Sequence, residues 1–143
     1  MSAKIIKLTL GLFCVGCGLA ATLTSCSERR TVEEAAQAEA MEVAQVCYDR
    51  LLNGDYDGFL AFRNDIDMIP ADLRSQLSDA MKTYIATEEK LHGGIKRVKA
   101  TRAKMDSTLN IMQVYLLMDY GNGTQEEVVV PMVTSPDGQW RMK

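Results

Sequence analysis

Residues 108–123, TLNIMQVYLLMDYGNG, decide which kind of fold this chain builds. Before Ile95 the apolar residues recur at close to helical spacing; from Ile95 onward they alternate, as a half-buried strand requires. Thr108–Tyr120 is the most apolar of these alternating runs and reads as a central strand. Gly121-Asn122-Gly123 reads as a hairpin turn, because its glycines enter the positive-φ region without steric cost. Downstream, TQEEVVVPMVT (124–134) is the next strand. Pro131 cannot donate to a ladder, so an edge or a bulge is expected there. Ser135-Pro136-Asp137-Gly138 is a second turn. Gln139–Lys143 is a last short strand, with Trp140 and Met142 on one face. Upstream, KRVKATRAKM (96–105) is a charged, half-exposed strand with Val98 and Ala100 inward and Arg97 and Lys99 outward.

The helices come before this meander. Thr31-Val32-Glu33-Glu34 has the form of a capping box, predicting a helix from there to about Asn53. Its first half, EEAAQAEAMEV (33–43), is rich in Ala and Glu and weakly apolar. Its second half carries a packing stripe of Val43, Ala44, Cys47, Tyr48 and Leu51. Gly54 is the expected stop. In GDYDGFLAFR (54–63), Asp55 or Asp57 can cap a short helix burying Phe59, Leu60 and Phe62. NDIDMI (64–69) reads as a connector. Pro70 suits a first helical turn, and a helix follows to about Leu91. Leu73, Leu77, Met81, Tyr84, Ile85 and Leu91 form its apolar face, with Arg74, Ser78, Asp79, Lys82 and Glu89 among the polar remainder. His92-Gly93-Gly94 ends it. Helices followed by an antiparallel meander make an α+β plan, with the helices covering one face of the sheet.

The first 26 residues concern placement. Lys4 and Lys7 precede a charge-free run from Leu8 to Ser25. A basic start, an apolar run and small residues before a cut site form a secretory signal. The run is short against the roughly 20 apolar residues of a membrane span. It ends in Leu23-Thr24-Ser25-Cys26, which resembles the lipobox of bacterial lipoprotein precursors. That resemblance implies a diacylglyceryl group on the Cys26 thiol, cleavage before Cys26 and acylation of the new amine. The expected organisation is a leader over 1–25, lipid attachment and a short tether over 26–30, and one domain over 31–143. Four extended residues reach roughly 14 Å at most, so the domain is expected close to its bilayer. Arg29 and Arg30 would lie near the headgroups.

Cysteine usage follows from the same reading. Cys14 and Cys17 are spaced C-x-x-C but leave with the leader, where no helix terminus or cation would lower a thiol pKa. Cys47 remains as the lone thiol and reads as a small buried residue. Two of the 16 basic residues leave with the leader and all 19 acidic ones stay, so the net charge moves from −3 to −5. An acidic body argues against nucleic acid as a partner.

LLNGDYDGFLAF (51–62) after a long first helix resembles the opening of nuclear-transport-factor-2-like domains, the cystatin-like cone fold. HGGIKRVKA (92–100), the GNG hairpin and the terminus DGQWRMK (137–143) fit in the same order. They are similar to small lipoproteins of unknown function in that superfamily. The resemblance implies N-terminal helices packed on a curved antiparallel sheet of about four strands, with a pocket between sheet and helices. Many members carry a further strand between the second and third helices. Only NDIDMI is available for it here, which implies a smaller sheet and a more open mouth.

Within such a pocket Tyr48, Tyr84, Tyr115, Trp140 and His92 are the lining candidates, with Tyr120 a further aromatic. His92 also suits the negative end of its helix dipole. Asp65, Asp67 and Asp72 lack the spacing and Gly of a calcium loop. Glu88-Glu89 and Glu126-Glu127 are neighbours whose side chains face different ways. The methionines read as core fillers. No catalytic set, metal pattern or cofactor motif is read. The expected function is a non-catalytic, lipid-anchored protein of a bacterial cell envelope. The outer membrane is favoured, since Ser27 stands where inner-membrane retention would place Asp, and the domain faces the periplasm or the surface. It binds a small ligand or an envelope protein through the cone pocket or the sheet face. The alternatives are a cone-fold enzyme of isomerase, dehydratase or hydrolase type, and a structural subunit that dimerises through its sheet.

Overall fold

The computed structural model describes the backbone of residues 24–143 and the side chains from Arg29 onward. The leader expected over 1–25 and the thiol of Cys26 lie outside the residues described in full. Helix α1 (Thr24–Leu52) is followed by α2 (Tyr56–Leu60), a 3-10 turn (Ile66–Met68) and α3 (Ala71–His92). Strands β1 (Ile95–Asp106), β2 (Ile111–Tyr120), β3 (Gln125–Thr134) and β4 (Trp140–Met142) form one antiparallel sheet in sequence order. The α+β plan and the four strands are as expected. Among the described residues no helix is long and apolar enough to cross a membrane.

Strand β2 is the centre of the sheet, as its composition implies. Met112, Val114, Leu116, Met118 and Tyr120 point to the concave face and are buried. Helix α1 lies on that face through Ala40, Ala44 and Cys47, all fully enclosed, with Ala36 and Val43 beside them. Small side chains let the helix axis come close, so the Ala-rich first half contributes to the core rather than merely preceding it. Gln45 completes the contact. Its amide donates to the Val98 carbonyl at 2.9 Å and accepts from the Ala100 N–H at 2.8 Å. The helix thus satisfies backbone groups of an edge strand that would otherwise stay open.

Two irregularities bend β1. The register with β2 slips between Ile95 and Arg97 and again between Ala100 and Arg102. After the second slip the inward positions become Ala103 and Met105, opposite Val114 and Met112. Bulges of this kind increase local twist and curvature, and here they turn the sheet around α1.

Glycines fix the other end of α3. Gly93 closes the helix at φ +73°. The Gly121 amide donates to the Gly94 carbonyl and the Asn122 amide to the His92 carbonyl, each at 2.8 Å. A Cβ on Gly121 would stand 2.1 Å from the Gly93 carbonyl oxygen. The two glycine motifs of the sequence therefore meet, backbone on backbone.

Two expectations change. Helix α1 starts at Thr24, so Ser27–Arg30 is helical instead of an extended tether and Thr31 lies inside the helix instead of capping it. No Gly or Pro interrupts residues 24–52, and Ser, Glu and Arg are all tolerated in a helix. The face of α3 is also narrower. Leu77, Met81 and Ile85 are half-buried, but Leu73 and Leu91 are 42 % and 66 % exposed, while Ser78 is the buried residue. The helix touches the body along one line and overhangs it at both ends. The smaller sheet is as expected: in place of the extra strand there is one parallel bridge between Arg63 and Met142. The Met142 N–H donates to the Phe62 carbonyl and the Asn64 N–H to the Met142 carbonyl. NDIDMI itself forms the 3-10 turn.

The close seat of α1 predicts an overpacking penalty. Ala44→Leu should destabilise the protein by about 1–3 kcal/mol in urea unfolding. Val46→Leu, on the exposed side of the same helix, should change stability by less than about 0.5 kcal/mol. Equal effects at the two positions would refute the packing account.

Candidate functional site

The cone encloses a recess of about 210 Å³ between the concave sheet face and α3. Tyr48 from α1, Phe59 and Leu60 from α2, and Leu77 and Met81 from α3 wall it on one side. Val130, Pro131 and Met142 form the sheet side, and Arg63 and Lys143 stand at its border. The Tyr48 and Phe59 rings meet edge to face, 5.5 Å between centroids. Arg63 is held by Asp65 through two hydrogen bonds of 2.8 Å, which pull the Asp65 carboxyl below its ordinary range. The recess holds roughly the volume of seven water molecules.

A second, polar grouping stands towards the C-terminal end of α3. Tyr84, Glu88 and His92 follow at four-residue intervals on that helix. Facing them are Tyr120 of β2 and Glu126 of β3, whose inward position is set by its pairing with Met118. Tyr120 donates to Glu126 at 2.8 Å. The His92 ring lies 5.0 Å from the Tyr120 ring, and its Nε2 is 3.9 Å from Glu88. The Glu88 side chain is only 14 % exposed. Burial, then the hydrogen bond to Glu126, raises the Tyr120 pKa well above the ordinary phenol value. Burial raises Tyr84 too, helped by the charges of Glu88 and Glu126.

The five expected lining residues therefore divide. Tyr48 lines the recess. Tyr84 and His92 belong to the polar grouping; His92 is eleven residues past Met81, roughly 16 Å along the helix. Trp140 lines a separate recess of about 260 Å³ with Glu39, Glu42, Val43 and Phe62. Tyr115 sits on the opposite sheet face, its ring 3.3 Å beneath the Arg102 guanidinium. The alternation of β2 dictates this, since Tyr115 has the parity of Gln113 and Asp119 rather than of Leu116. That outer face is crossed by the ion pairs Arg97–Asp119 and Arg102–Glu127.

Glu88 and Glu126 were legible only as members of adjacent acidic pairs. Two signals locate them: the Tyr84-Glu88-His92 spacing, and the shared parity of Glu126 with Val128, Val130 and Met132. The chemistry of the recess is that of holding. Burial pushes the Tyr48 phenol up to about 12, so it is a hydrogen-bond donor at neutral pH. Burial likewise pushes the Cys47 thiol to about 12, which removes it as a nucleophile.

No protein-family model and no curated protein matches the sequence. Among solved structures, the chain is similar to a protein from Campylobacter jejuni described as an NTF2-like transpeptidase. The TM-score is 0.55 at 11 % identity, covering 71 % of this chain and 94 % of the other. At that identity the likeness concerns the fold alone, and it agrees with the helices and curved four-stranded sheet above: the domain has the NTF2-like cone fold.

Two measurements check the electrostatics. Cys47 should resist thiol reagents in native protein at pH 8 and react fully once the chain is unfolded; rapid native labelling would show that the thiol is reached. Cys47 and Tyr48 both have folded pKa values above their ordinary 9 and 10. Their stabilising contribution is complete below pH 9 and is lost as pH rises from there towards 12. Urea midpoints should therefore fall across that alkaline window, and Cys47→Ala should remove the thiol's share of the fall.

Proposed function

We propose that this protein is a membrane-anchored envelope lipoprotein whose cone recess binds a small, largely apolar ligand without transforming it. The lipobox ending at Cys26 supports the anchor. The observation that carries the binding reading is the recess itself: a mainly apolar lining from all three helices and the sheet, with the Tyr48 phenol inside it and Arg63 and Lys143 at its border. A half-open, mainly apolar space of this order has room for a single aromatic ring.

One observation favours a second reading, a cone-fold enzyme. Glu88, His92, Tyr120 and Glu126 converge as an acid–base set would. Mass spectrometry of protein purified from membranes, with its bound small molecules, separates the two. Binding alone returns the retained molecule unchanged after incubation. An enzyme converts it, and Glu126→Gln abolishes the conversion.

The anchor and the recess are tested separately. Protein from a Gram-negative host should begin at Cys26 and carry diacylglyceryl plus one acyl chain, and Cys26→Ser should leave it uncleaved and unacylated. An unmodified chain that keeps its first methionine would defeat the anchor. Indole should bind saturably in a thermal-shift titration, and Met81→Trp, which fills the recess, should abolish that shift. Binding that survives Met81→Trp would place the ligand elsewhere.

A further inference from the structure

A different cleft, of about 450 Å³, lies on the other side of α3, between that helix, α2 and the 3-10 turn. Three of its polar side chains lack the partner their chemistry calls for. Ser78 is 8 % exposed, yet its hydroxyl makes no hydrogen bond within the described residues. No fully enclosed side-chain oxygen or nitrogen there is without a partner. The Ser78 oxygen therefore keeps its opening towards the cleft it lines. A serine in mid-helix ordinarily bonds back to a carbonyl one turn earlier, as Thr83 and Thr87 do on the same helix. Arg74 is tied by its Nε to the Ile69 carbonyl at 2.9 Å. Its terminal nitrogens have no carboxylate partner among the described residues. The Asp57 carboxylate stands free of any hydrogen bond there and acts on the charge of Lys82, which Asp79 already holds at 2.9 Å.

These groups make the cleft dipolar. At one end, Asp57 and Asp79 outweigh Lys82 by one negative charge. At the other, Arg74 is positive; in the adjoining recess of about 490 Å³ that shares it, Arg63 and Arg141 are already paired with Asp65 and Asp137, so Arg74 is the cation left for a ligand. Arg74 and Lys82 are eight residues apart, roughly 12 Å along the helix. Ser78 lies midway. A single amino acid cannot place its two charges that far apart. A chain of three residues reaches roughly 10 Å, and side chains close the remainder.

We propose that this cleft binds a short peptide with both ends free. The peptide carboxylate pairs with the Arg74 guanidinium, its ammonium pairs with Asp57, and a backbone amide between them bonds the Ser78 hydroxyl. Leu60, Ala61 and Ile66 supply an apolar wall. The site shares Leu60 and helix α3 with the cone recess but opens on the other side of that helix, and it requires no lipid anchor.

Trialanine is the probe, titrated into the purified protein and followed through backbone amide shifts. Saturable binding is expected, with shifts at Arg74, Ser75, Ser78 and Lys82. Trialanine amide and N-acetyl-trialanine, each lacking one end charge, should bind about tenfold or more weakly. Arg74→Gln should lower the affinity of trialanine to that of its amide. Ser78→Ala should weaken binding several-fold while leaving thermal stability unchanged or raised, because no internal bond is lost. A structural serine would behave the opposite way, losing stability and keeping affinity. Absence of saturation, equal affinity for the fully capped peptide, or indifference to Arg74→Gln would each overturn the proposal.

Discussion

The closeness of α1 to the sheet governs the rest of this molecule. Ala40, Ala44 and Cys47 put nothing larger than a thiol between the helix backbone and the buried row of β2. At that distance the Gln45 amide can reach two backbone groups of β1 at once. A larger residue in the stripe would lift the helix and pull the amide off the strand. The two contacts constrain each other, since the small residues set the height and the glutamine fixes rotation and register. Hydrophobic burial is non-directional, but the paired hydrogen bonds are not. Together they leave one seating for a helix whose other faces are polar.

Once α1 is seated, the recess follows from what α1 does not cover. The bulges of β1 curl the sheet around the helix, and α2 closes one end beside Tyr48. Helix α3 then crosses the gap, packed along its middle through Leu77, Ser78, Met81 and Ile85 and tied by backbone contacts near its termini. Arg74 returns to the connector carbonyl of Ile69, and Gly93 and Gly94 meet the β2–β3 hairpin. Between these points Leu77 and Met81 reach down without filling the space. An additional full strand after α2 would widen the sheet at this border. Here a single bridge at Arg63 joins it to Met142, so a short connector carries the recess wall.

The sheet was legible because alternation is a strong and local signal. Alternation placed the strands and the glycines placed the turns, but the inward row of β2 was not assigned, and Tyr115, expected in the pocket, has the outward parity. The contribution of Ala36 and Ala40 was hidden because alanine is neutral on any apolar scale, and its importance lies in how little space it takes. Thr31 was misleading because a capping box is recognisable whether or not a helix ends there. Leu73 and Leu91 were misplaced because helical spacing shows which residues share a face, but not how far along that face the partner extends. The inward glutamates were obscured for a related reason. A carboxylate next to another carboxylate reads as solvated until the strand's pairing shows which of the two points in.

Helix α3 is the element that lines both proposed sites, and its sequence shows why. Leu77 and Met81 face the cone recess, while Ser78 and Lys82, one residue further in each turn, face the polar cleft. Two neighbouring rows of one helix thus wall two sites of opposite chemistry. The cost is stability, because a helix lining two recesses can bury little of itself, and Ser78 is its sole buried residue. Elements with few buried contacts open at lower free energy than the global fold. A ligand that bound only the packed helix would stabilise that helix as a whole. Should both proposed sites bind, the weakly buried α3 that they share is the element through which filling one would stabilise the other.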